Sequence, residues 1–99
     1  QRQVVNQMNM ELVTSIHLLS LMCDDEQLLK KANKAFLSKK NGNARLVSVW
    51  KVWKLKNRSR INLSTNANLC WCFTRVDSLV SDLERKVEHG KSDCDSNGD

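Results

Sequence analysis

A chain of 99 residues with 40% hydrophobic residues and a formal net charge of +5 has room for one domain and one modest core. Proline is absent and glycine occurs three times, which excludes the frequent turns of an all-β domain and points to helices. The longest charge-free hydrophobic run, LVTSIHLLSLMC from Leu12 to Cys23, is too short to span a bilayer. Glu11 before it and the acids after it do not suit a signal peptide.

Val5, Met8, Leu12, Ile16, Leu19 and Cys23 recur at steps of three and four. They predict a first helix from about Val4 to Met22, with Cys23 on its core-facing stripe. Asp24 or Asp25 then caps a second helix, whose first turn holds Glu26 and Gln27. Leu28, Leu29, Ala32, Ala35 and Phe36 face inward on it, Lys30, Lys31 and Lys34 face outward, and Asn41-Gly42 marks its end. Neither glycine nor proline separates these two helices, so one kinked helix is an alternative.

The third segment, ARLVSVWKVWKLKNRSR, carries a helical stripe of Leu46, Val49, Trp50 and Trp53, yet it also alternates well enough for a strand. With no second strand to pair with it, helix is the better reading. Lys51, Lys54 and Arg58 then share one face. Ser64 or Thr65 caps a last helix with the stripe Leu69, Cys72, Phe73, Val76, Leu79, Val80, Leu83 and Val87, ending at Gly90. The expected fold is therefore all-α: a compact bundle of three to five helices over residues 1–90, stabilised by two disulfides. A polar tail over residues 91–99 is tethered by Cys94.

Four cysteines allow two bonds. Cys70 and Cys72 leave a helix about 200° apart and cannot bond each other. Cys72 points to the core and Cys70 to the flank, so Cys23 is expected to pair with one of them and Cys94 with the other. A Cys70–Cys94 bond needs a break near Val80 to Asp82. A straight helix sets Cys70 about 30 Å from Gly90, and four extended residues recover about 14 Å. Even cysteine usage, a start at Gln1, and the acceptor triplets NRS at Asn57 and NLS at Asn62 point to a secreted, glycosylated chain.

No catalytic constellation is visible. His17 and His89 have no nucleophile placed beside them, and the sequence holds no Gly-rich phosphate loop and no HExxH. A helical C-x-C aims its thiolates apart, against a zinc site. The expectation is a non-enzymatic protein without cofactor or metal. Charge carries the functional signal. From Lys30 to Arg60 there are eleven basic residues and no acid. Such a block implies an anionic partner, or a solvated face balanced by the acidic end of the same protein.

Lys30 with Lys34, and Lys51 with Lys54 and Arg58, form the two faces that suit a polyanion. Trp50 and Trp53 belong to the core, whereas Trp71 points away from it as a lid or a contact residue. These features describe a small secreted helical protein that binds an extracellular protein with an acidic surface, or a heparin-like polyanion. It would act as an inhibitor of host proteases or complement, an effector, or a cytokine-like ligand. The runner-up is an intracellular nucleic-acid-binding module with reduced cysteines.

Overall fold

The computed structural model describes the backbone of residues 2–38 and 42–97 and the side chains of residues 3–38 and 43–86. Four helices account for nearly all of it: α1 (Arg2–Cys23), α2 (Glu26–Leu37), α3 (Gly42–Asn62) and α4 (Ala67–Asn97). The described residues contain no strand, so the alternating segment around Trp50 is helical. None of the described helices is long and apolar enough to cross a membrane. α1 packs on α2 and α4, α2 on α3, and α3 on α4, as expected when short connections join neighbours in a bundle. The body measures 48 × 22 × 20 Å.

The junction of α1 and α2 explains why two helices form without glycine. Asp24 takes the left-handed conformation, with φ of 54°, a region that Asp tolerates better than most residues. Its N–H reaches Leu21 O, and the next N–H, of Asp25, reaches Ser20 O at 2.8 Å. This pair of bonds is a Schellman stop. Asp25 then caps α2 by accepting from Leu28 N at 3.0 Å.

The cap of α4 is Asn66, one residue beyond the expected Ser64 or Thr65. Its Oδ1 accepts from Asn68 N and Leu69 N, and Ser64 Oγ supports the turn by accepting from Asn66 N. Gly42 opens α3 instead of closing α2, which ends at Leu37. Gly90 does not end α4 either, and the helix runs on to Asn97 without a break near Val80 to Asp82. An interior glycine lowers helix propensity by about 1 kcal/mol, but unlike proline it leaves the hydrogen-bond ladder intact.

Inward stripes from all four helices build one core around Leu12, Ile16, Leu19, Leu28, Leu46, Trp50, Val76 and Leu83. Its centre is aromatic. Trp50 stacks on Trp53 with ring centroids 5.5 Å apart, and Phe73 of α4 tilts against both at 5.1 and 6.4 Å. Burying an indole also buries an N–H that needs an acceptor. Trp50 Nε1 donates to Asp77 Oδ1 of α4 at 3.1 Å, and Trp53 Nε1 donates to Asp25 Oδ2 at 2.8 Å. Asp25 therefore uses one oxygen to cap α2 and the other to hold α3.

These two roles separate by mutation. Asp25→Ala removes both and should cost about 2–3 kcal/mol in urea unfolding, the sum of a lost cap and an orphaned indole N–H. Asp25→Ser keeps a capping oxygen and should cost about 1 kcal/mol. Equal losses in the two variants would mean that the indole bond, and not the cap, accounts for the effect.

Candidate cationic binding face

The five cations singled out in the sequence lie on two helices, α2 and α3. Lys30 and Lys34 lie on the side of α2 opposite Leu28, Ala32 and Ala35, and both are exposed. The α3 row behaves differently. Lys51 Nζ lies 2.7 Å from Glu84 Oε2, and Lys54 Nζ lies 2.7 Å from Asp77 Oδ1, both acceptors on α4. Arg58 is exposed and makes no ion pair among the described residues. Arg60, although exposed, donates to Cys23 O at the C-terminal end of α1, where a cation is favoured by the helix dipole. Much of the basic row on α3 thus stitches the bundle together.

Part of what remains free lies over α2 and the adjoining edge of α3. Lys31 and Lys56, which the sequence reading left out of the site, stand on opposite walls of a groove of about 260 Å³ between these helices. Val49, Val52 and Trp53 also line the groove. Together with Lys30 and Lys34 they give four exposed lysines without an ion pair among the described residues. The acids that remove Lys51 and Lys54 from the face were legible in one respect. Asp77 and Glu84 are seven residues apart, two turns along the same flank of α4.

The two indole-binding carboxylates are both held below the usual range for an aspartate. For Asp25 the Trp53 hydrogen bond is the main cause, aided by backbone N–H groups and the charge of Arg60, while partial burial opposes it. For Asp77 partial burial is the largest single influence and pushes the pKa up. It is outweighed by the bonds from Lys54 and Trp50 and by the charges of Lys54 and Arg58.

The expected disulfide between Cys23 and the C-x-C triplet is not formed. Cys23, Cys70 and Cys72 carry free thiols, and the Cys94 side chain lies outside the described residues. Helical geometry does splay the triplet as expected. Cys72 is buried in the core that α1 shares with α4, while Cys70 is half-buried and its Sγ lies 3.8 Å from both Ile61 O and Ser64 O. Burial is the main cause that raises the pKa of Cys23 and of Cys72; for Cys23 the charges of Asp25 and Cys72 add to it and that of Arg60 opposes it. Both are thus neutral and shielded in the folded chain.

Trp71 is 61% exposed and covers no second layer, so it is a surface residue, with the Arg75 guanidinium 5.7 Å from its ring centroid. Asn57 is half-buried, its amide donating to Trp53 O at 2.9 Å, whereas Asn62 is exposed at the end of α3. His17 links α1 to α2 through Asn33. The His89 side chain is outside the described residues, among which no three His, Cys, Asp or Glu side chains converge as metal ligands. Compared with protein-family models, curated proteins and solved structures, the chain matches none of them.

Acid should loosen this arrangement in a defined window. A carboxylate whose folded pKa lies below its unfolded value stabilises the fold fully above the unfolded value, near about pH 4. That contribution fades as pH falls through the lower folded values. The urea midpoint should therefore drop as pH falls below about 4. Asp25→Asn/Asp77→Asn should start lower at neutral pH and lose less over the window. An equal acid loss in this double variant would place the sensitivity elsewhere.

Proposed function

We propose that the chain is a small non-enzymatic binding protein that holds an anionic partner on its α2–α3 face. The observation that carries this reading is the set Lys30, Lys31, Lys34 and Lys56, exposed and free of ion pairs among the described residues. Internal neutralisation accounts for Lys51 and Lys54 but not for these four, nor for Arg45 and Arg58, which are likewise exposed and unpaired among the described residues. Lysine supplies mobile point charge without the bidentate geometry of arginine, which suits an acidic protein surface or a heparin-like chain more than a base-specific contact. Val52, half exposed in the same groove, adds apolar contact between the charges.

In this reading the chain works outside the cell as an inhibitor or effector that occupies a surface. Cys23 and Cys72 share one core and are the pair that an oxidising compartment would join. Any glycan would fall on Asn62, because the Asn57 amide is engaged with its own helix. A second reading, an intracellular nucleic-acid-binding module, draws support from the free thiols of Cys23, Cys70 and Cys72.

Heparin chromatography and a gel shift at two salt concentrations test the face. Reversing Lys30, Lys31, Lys34 and Lys56 to glutamate should abolish retention. Lys51→Met and Lys54→Met should weaken the fold and leave retention nearly unchanged. For a nucleic acid, each contacting lysine removed should reduce the salt slope by about one. Greater sensitivity at Lys51 and Lys54 would place the binding face elsewhere. Counting thiols in the unreduced, unfolded protein separates the compartments: a Cys23–Cys72 cross-link favours the extracellular reading, and four reactive thiols favour the other.

A further inference from the structure

The face of the bundle formed by α1 and α4 mixes exposed apolar side chains with polar ones and carries few charges along α1. Besides its buried stripe, α1 carries a second, outward one of Met10, Leu18 and Leu21, which are 60%, 46% and 71% exposed. A helix with apolar residues on two sides has two sides to cover, and the bundle covers one. Between α1 and α4 runs a groove of about 460 Å³, with Met10 and Leu18 on one wall and Trp71 on the other. Each wall also carries one charge, Glu11 on α1 and Arg75 on α4. Neither makes an ion pair among the described residues.

We infer that this groove is the seam of a homodimer, its occupant the same groove of a second copy. A two-fold axis along the groove exchanges the walls, so that α1 of each copy lies on α4 of the other. Arg75 of one copy then meets Glu11 of its partner, twice, and each Trp71 covers the Met10–Leu18 stripe opposite it. One acid facing one base across an apolar groove is self-complementary, which an isologous contact requires. A foreign partner would have no need of that balance. From Val4 to Cys23 the only formally charged residue is Glu11, so a chain of net charge +5 meets little self-repulsion on this side. The lysines of the α2–α3 face stay clear of the seam, and two copies present two such faces.

Sedimentation equilibrium from micromolar to millimolar concentration, with reductant present, tests the seam. The wild-type chain should reach twice the monomer mass. Glu11→Arg and Arg75→Glu should each weaken association by about tenfold or more, because each sets like charges opposite one another in both of the symmetry-related contacts. Trp71→Ala should also weaken it, and circular dichroism should show all three variants folded, since the altered residues are exposed. An equimolar mixture of Glu11→Arg and Arg75→Glu should recover the dimer mass, as should the double variant on its own. A wild-type monomer throughout, or a dimer indifferent to the reversals, would overturn the inference.

Discussion

A buried indole N–H has to find an acceptor, and the placement of α3 follows from how this chain meets that demand twice. Trp50 and Trp53 are one turn apart on α3 and stack in the core, where each ring buries about 150–250 Å² of surface. At about 25 cal/mol per Å² that is roughly 4–6 kcal/mol of apolar transfer per ring. An unpaired N–H would cancel about 1–3 kcal/mol of it. Asp77 and Asp25 prevent that loss from opposite sides. One belongs to α4 and the other caps α2, so the pair of tryptophans aligns three helices at once.

The same carboxylates reorganise the charge of the surface. Asp77 accepts from Lys54 as well as Trp50, and Glu84 takes Lys51 two turns along the helix. A lone carboxylate against an indole is partly desolvated at some cost, and a lysine at its rim offsets that cost while giving up its own availability to a partner. Part of the basic block is therefore structural cement. The lysines of α2 and Lys56 make no ion pair among the described residues, although Asp25 lines the same groove as Lys31 and Lys56. The third surface, between α1 and α4, is the least charged of the three and carries the exposed tryptophan.

Amphipathic periodicity made most of the fold readable. The stripes of α1 and α4 are regular enough that their core residues, Cys23 and Cys72 included, were identifiable from spacing. Asp25 was readable as a candidate cap because short polar side chains followed by a hydrophobic run have few other uses. The starts of α4 after Asn66 and of α3 at Gly42, and the passage of α4 through Gly90, were less legible. A glycine permits a stop without enforcing one, and several polar residues in a row compete for one cap.

The candidate site was legible only as an inventory of charge. That eleven cations crowd one stretch follows from composition alone. Which of them are spent inside the fold depends on contacts such as Lys51 with Glu84 and Lys54 with Asp77, separated by 33 and 23 positions. The bonding state of Cys23 and Cys72 was likewise beyond parity and spacing, because it rests on where two helices place their sulfurs. The sequence by itself determined the helices, their buried faces and the excess of positive charge, since periodicity and composition are local properties. Only the tertiary structure decided which charges neutralise one another and which apolar stripe stays uncovered, since both depend on helices far apart in the chain coming into register.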